Sequence, residues 1–421
     1  MTESHRAPER ATITVTTVGD SGAAGRRRAH GAPKRRGRPP RRHTVAKVLT
    51  TTTLVMALAV AMSVVYLYRH LNSNLTVDDS TELMTNRPEV IKVEGPREPI
   101  NILVMGSDSR EGKGNNIDGL TGLGERSDTT ILVHLSADRT RAYGISIPRD
   151  SMIARPECKL RNGDVVPGSS YAMWNEAFGI GGAACTMQQF EQLTGIRLQH
   201  HVVIDFQGFK DMVDAIDGVE VCLPEPIDDP EHNIHLKAGT RQIKGNEALS
   251  YVRVRYRVGD GSDTSRVKRQ QAFIASMANK VISADTLARP DRTVKFLNAA
   301  TKSLTVDRGL KNVLKIADVA VQFKDIGLDR IQFITVPWGT DPTNPNRIVW
   351  TPAAADLWKR IANDRPLTKS LKTGVIKASE QGSGSPSSPS SEPTRGPSAS
   401  PSATPGDSAK AEEALRNGLC A

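Results

Sequence analysis

Aromatic residues are scarce, with Phe, Trp and Tyr making up 4% of the 421 residues. That scarcity argues against a lectin face that stacks sugars on rings. Cysteine is sparse too: Cys158, Cys185, Cys222 and Cys420 form no C-x-x-C pair and have no histidine at metal-ligand spacing, which excludes the usual zinc site. The nine histidines assemble no triad, and no nucleophile elbow is present, which excludes Ser-His-Asp hydrolysis. His200, His201, His232 and His235 read as surface residues. Net positive charge is missing from most of the chain. Of the formal +10, Met1–Lys47 carries +9, from 12 Lys and Arg against 3 acidic residues, so everything after it carries +1. A body this close to neutral excludes a general nucleic-acid surface, and no nucleic acid is expected as a partner. Internal repeats are absent.

What the sequence does contain begins with an uncharged apolar run, Val48–Tyr68, bounded by Lys47 and Arg69. About 20 residues suit one bilayer crossing. The basic block before it, RRRAHGAPKRRGRPPRRH, and the aromatic Tyr66 and Tyr68 at its far end predict a single-pass signal anchor in the cytoplasmic membrane, with the N-terminus cytoplasmic and the body outside. A cleavable signal peptide fits less well, because no small-x-small site follows Tyr68. A core helix, and an AT-hook reading of GRPP, are the alternatives at this stage.

The chain divides by composition into a disordered basic segment (1–47), the anchor (48–68), a juxtamembrane stalk (69–99), a folded domain (100–366), a Pro/Ser-rich disordered linker (367–408) and a short C-terminal segment (409–421). Within the folded domain, strands are predicted at 100–105, 130–135, 142–147, 202–205, 219–223, 251–256 and 331–336. Helices are predicted near 186–193, 206–216, 265–281, 294–304, 310–323 and 353–361. Strands alternating with helices, with hairpin spacing between the second and third strands, predict an α/β fold: an α-β-α sandwich around a central mixed sheet.

Three motifs lie at predicted strand ends, where α/β sheets build sites: GSDSR with Asp108, RSDTT with Arg126 and Asp128, and SIPRD with Arg149. Two aspartates there are placed to share Mg²⁺ through oxygen. A fourth stretch, YVRVRYRVGDGSDTSRVKRQQ, reads as a strand presenting Arg253 and Arg255 on one face, then a helix capped by Ser262 or Asp263 that carries Arg266 and Gln270. Guanidinium groups crowded this way call for a dianion such as phosphate, although a charged edge strand would show the same alternation. Arg257 and Arg269 read as bystanders. Four cysteines in an exported domain predict disulfides. Sequence allows three pairings; Cys158–Cys185, flanking one loop, is preferred, with Cys222–Cys420 remaining.

Taken in order, DSR, RSD, SIPRD, NEAFGIGG, DFQGFKDMVDAIDGVEV, G-x-EALSYVRVRY and D-x-x-R-x-x-RQQ resemble the LytR-CpsA-Psr family over about Ile100–Val281. The resemblance implies a glycopolymer–peptidoglycan phosphotransferase. Such an enzyme moves a glycan from a polyprenyl-pyrophosphate carrier onto a peptidoglycan acceptor through a phosphodiester. It also implies Asp108 and Asp128 as carboxylates associated with Mg²⁺, and Arg126, Arg149, Arg253, Arg255 and Arg266 as a pyrophosphate clamp with Gln270 beside it. Asp263 matches the acidic position before the last helix. Its polyprenyl chain needs an apolar groove that the sequence does not locate. The insert EGKGNNIDGLTGLGE, between Asp108 and Arg126, is longer than the shortest family versions. The alternative is a non-catalytic lipid-phosphate-binding protein or a regulator of the transcriptional-attenuator type.

Overall fold

The computed structural model describes residues 42–108, 127–230, 234–255, 258–282, 289–380 and 405–420. The chain forms two compact units, Met1–Ala61 and Met62–Ala421, and helix α1 (Arg42–Asn74) runs across the boundary between them. α1 is long and apolar enough to cross a membrane, with Leu54, Val55 and Leu58 all exposed. The threonines near its start do not spoil it as a span. Thr50 and Thr51 donate to Lys47 O at 2.9 Å and Thr53 to Leu49 O at 2.8 Å, so the helix satisfies their hydroxyls itself. The last turns of α1 belong to the second unit and are pinned there. His70 Nε2 lies 2.9 Å from Asn298 Oδ1, and Asn72 Oδ1 accepts Val313 N at 2.8 Å.

The main sheet has eight strands: β1 (Thr76–Asp78), β2 (Ile100–Ser107), β3 (Ser127–Leu135), β4 (Ala142–Ile147), β5 (His200–Ile204), β6 (Leu304–Asp307), β7 (Ile331–Thr335) and β8 (Ile376–Lys377). Their spatial order is β1-β6-β5-β2-β3-β4-β7-β8. β1 pairs with β6, β5 with β2 and β4 with β7 in parallel, and the remaining neighbours are antiparallel, so the sheet is mixed. Alternation along each strand assigns its two faces. Leu103, Met105, Leu132 and Ile145 point into a core closed by α2 (Glu176–Thr194) and by a helix over Pro352–Ala362. The opposite face is covered by α3 (Phe206–Ala215), α4 (Gly245–Arg253) and α5 (Asp263–Ile282), making the expected three-layer sandwich. The predicted strand 219–223 forms as such but stands outside this sheet, paired with Gly239–Ile243.

Three expectations are corrected. Residues 251–253 are helical, not a strand. Ala248 and Tyr251, three apart on one helical face, are both buried, and this packing prevails over the Val/Arg alternation. His201 is fully buried, with Nε2 3.2 Å from Asp78 Oδ2, and His200 is half-buried, with Nδ1 3.1 Å from Asp307. His235 is exposed, whereas His232 lies outside the described residues. Arg269 is no bystander: it is fully buried and hydrogen-bonded within the domain.

Both disulfides form in the preferred pairing, Cys158–Cys185 and Cys222–Cys420. The first explains the glycine pair in NEAFGIGG. Gly182 has φ +63°, and a side chain on Gly181 would strike Cys185 Sγ, 2.1 Å away.

Candidate active site

Between the sheet and α3–α5 lies a cavity of about 570 Å³. Val104, Gly106 and Ile131 form its sheet wall; these are the strand positions that alternate with the core-facing Leu103, Met105 and Leu132. Phe206, Phe209 and Met212 of α3 and Phe273, Ile274 and Met277 of α5 line the rest of the apolar part. Asp128, Arg149, Arg253, Arg255, Arg266 and Gln270 line the polar part. One continuous space thus joins a hydrocarbon-lined interior to a cluster of guanidinium groups.

Each charged group is set by a local structural device. Between Gly106↔Thr129 and Ser107↔Ser127 the β2–β3 register shifts, so Asp128 sits in a bulge that turns its carboxylate out of the ladder. Asp108 follows β2 directly and is partly buried. Arg149 leaves β4 behind Pro148, which ends the strand. α5 starts at Ser262, whose Oγ accepts Ser265 N at 3.1 Å. Gln271 locks that helix onto the strand ends, its Nε2 donating to Ser146 Oγ at 2.9 Å and Thr335 Oγ1 at 3.0 Å. Gln270 donates to Val252 O at 3.0 Å, so its amide nitrogen holds the end of α4.

Asp263 is the hub of the cluster. Its Oδ1 lies 2.6 Å from Arg266 Nη2, 3.4 Å from Arg149 Nε and 3.7 Å from Arg255 Nε. Arg149 also pairs with Asp128, and its Nε lies 3.8 Å from Asp150, which in turn meets Arg347 at 3.2 Å. Burial alone would lower the Arg149 pKa, but Asp128 and Asp263 hold it above the usual value. Arg266, 3% exposed, is depressed by its burial and by Arg149 and Arg255, with Asp263 opposing. With Asp150 and Arg347 counted, four arginines face three aspartates here. Arg149 Nε, Arg255 Nε and Arg266 Nε are buried without a hydrogen bond among the described residues, the first two meeting Asp263 only as ion pairs. Buried polar atoms left this way are costly unless a ligand completes them, and the excess charge specifies an anion. Arg253 is placed differently from the other three: its guanidinium covers the Phe206 ring at 4.6 Å, at the border between the charged and apolar regions.

Arg126 and the insert before it lie outside the described residues. The remaining predicted arginines, with Gln270, Asp128 and Asp263, come together. Sequence reasoning did not locate the groove lining, although a signal was present: Phe273, Ile274 and Met277 continue along α5 at helical spacing from Arg266 and Gln270. It also missed Arg347, which reaches Asp150 of the SIPRD motif through tertiary contact alone.

The fold and cavity define an α/β domain in which an apolar space opens onto a cluster of arginines. Residues 65–363 match the LytR_cpsA_psr family, and the chain belongs to it. Probable cell wall biosynthesis protein LcpB of Corynebacterium glutamicum is 35% identical over 215 residues, covering 50% of this chain and 48% of that protein. The polyisoprenyl-teichoic acid–peptidoglycan teichoic acid transferase TagV of Bacillus subtilis is 27% identical over 262 residues, covering 60% of this chain and 61% of that protein. The chain thus spans about half to three fifths of the length of these curated relatives. Among solved structures, a Streptococcus agalactiae protein (25% identity, TM-score 0.51) aligns over 66% of this chain and 92% of its own. The LytR-Csp2A-Psr enzyme of Actinomyces oris (21% identity, TM-score 0.51) aligns over 68% and 96% and shares the fold.

Proposed function

We propose that this protein is a single-pass membrane phosphotransferase, with its N-terminus cytoplasmic and its catalytic domain outside, that transfers a glycopolymer from a polyprenyl-pyrophosphate carrier to peptidoglycan. The observation that carries this reading is the continuity of the cavity: an apolar interior suited to a prenyl chain opens onto Arg149, Arg255 and Arg266. The acceptor hydroxyl oxygen attacks the phosphorus that bears the glycan. A new P–O bond forms, the P–O–P bond breaks, the hydroxyl proton passes to solvent, and polyprenyl phosphate departs. Phosphoryl transfer needs alignment and charge neutralisation more than covalent help, and arginines preorganised around Asp263 supply both. Arg253, over Phe206, is placed to hold the carrier phosphate nearest the lipid.

Asp108 and Asp128 would hold Mg²⁺. Asp128 lines the cavity beside Arg149, and Mg²⁺ takes only one or two carboxylates where water and phosphate complete its shell. When bound, it would neutralise charge on the pyrophosphate. The relatives named for teichoic acid transfer support the reaction class.

The test uses the full chain in detergent. Mass spectrometry of lipid extracted from the purified protein should find polyprenyl phosphates. Arg149→Ala and Arg255→Ala should each lower carrier release by about 10²-fold. Undiminished release in both variants would sink the reading.

A further inference from the structure

After the Pro/Ser-rich stretch the chain returns to the domain. A helix over Pro405–Arg416 is followed by Asn417–Cys420, and Cys420 is bonded to Cys222. This segment packs against the described parts of the connection between α4 and α5, Val254–Arg255 and Val258–Ser262. Asp260 N donates to Arg416 O at 2.8 Å. A side chain at Gly259 would come within 2.2 Å of Arg416 O, and one at Gly418 within 2.5 Å of Val258 Cγ1. Both glycines have positive φ, so the two backbones meet where only glycine fits. Leu419 joins the core beside Ala272 and Ala275 of α5.

Arg269 joins the two stretches. It is fully buried and donates to Val254 O, to Ser265 Oγ at 3.1 Å and to Asn417 O at 3.4 Å. A planar guanidinium reaches a carbonyl on each side at fixed geometry, which a lysine ammonium does not. One carbonyl belongs to the residue before Arg255, and the other to the C-terminal segment. At the far end of the same connection stands Asp263, the hub of the arginine cluster.

We propose that residues 405–420 are a working part of the pyrophosphate site: through Arg269 they set the position of the α4–α5 connection, and with it the placement of Arg255 against Asp263. Arg269 is a positioning residue that touches no substrate. The inference rests on the pyrophosphate reading above.

The test uses full-length protein with a protease site placed between residues 381 and 404. Cutting leaves the C-terminal segment held by Cys222–Cys420, and reduction then releases it. Uncut protein given the same reductant keeps the segment tethered and controls for Cys158–Cys185. The probes are geranylgeranyl pyrophosphate and the uncharged geranylgeraniol. Cut and reduced protein should bind the pyrophosphate about tenfold more weakly than the reduced control, the scale of one charge-assisted hydrogen bond, with geranylgeraniol binding unchanged. Arg269→Lys should give the same split in the intact chain. Equal pyrophosphate affinities in cut and uncut protein would overturn the proposal, and so would a parallel loss of both ligands, since that marks general destabilisation. If uncut protein binds no geranylgeranyl pyrophosphate, the functional reading falls first and the inference with it.

Discussion

The two faces of the central sheet are made by the same strands with opposite outcomes. On the α2 side the space is filled. Trp174, Phe190 and Leu357 are fully buried, Phe190 meets Trp358 edge-on at 5.5 Å, and Trp174 Nε1 donates to Thr130 Oγ1 at 3.0 Å. On the α3–α5 side, equally apolar residues stand around a volume of about 570 Å³. The difference lies in what the helices are fastened to. Gln270 and Gln271 tie α5 to α4 and to the strand ends, and Asp205 caps α3 by accepting Gly208 N at 2.6 Å, so the arch stands without filling its interior. Close packing stabilises one face, while the other keeps its apolar surface available to a ligand.

The comparison can be broken hardest on the filled side. Phe190→Ala should cost about 3–5 kcal/mol of stability, measured by urea unfolding, because it empties a packed site. Phe209→Ala, at a half-buried cavity position, should cost less than half as much; equal costs would erase the distinction between the faces. Filling the cavity instead, Met277→Trp should leave stability within about 1 kcal/mol of the parent. It should still weaken geranylgeranyl pyrophosphate binding by at least about tenfold. Unchanged affinity would mean that the prenyl chain lies elsewhere.

The smallest effect is a pH dependence at the sheet edge. Burial tends to raise the Asp78 pKa, but His201 and Ser80 together hold it well below the usual carboxylate range. A depressed carboxyl contributes stability that is full above its unfolded value, about 3.9, and is lost as pH falls toward the folded value. Asp78→Asn should therefore flatten the fall of the urea midpoint below about pH 4. An unchanged slope would remove Asp78 from that account.

Much of this was legible in the sequence, for reasons particular residues make plain. Runs such as Ala142–Ile147 announce themselves because a strand buried on both faces has nowhere to put a polar side chain. The charged residues of the site were legible because their motifs follow one another in a fixed order, although Arg253, Arg255 and Arg266 stand on α4, on its connection to α5 and on α5 and not on a strand. The 251–256 stretch misled because alternation over six residues says nothing of Ala248 and Leu249, which had already begun a helix. His201 was misread because its partner, Asp78, arrives from a distant strand. The groove was invisible for a deeper reason. Phe273 in a core and Phe273 beside a cavity have the same neighbours in sequence, and only the helix that fails to fill the space tells them apart.

The sheet order carries one more consequence, for the timing of folding. β1, which begins two residues after α1 ends, pairs in parallel with β6, so that Asp78 stands beside Asp307. The edge strand nearest α1 is thus made first and waits longest for its partner. It waits with its backbone unpaired until residues beyond 300 have emerged, a long loop closure of the kind that slows folding and exposes strand edges to other chains. The chain spends that interval as a half-finished sheet, and the rate at which it escapes that state bears on how much of it survives as directly as its final stability does.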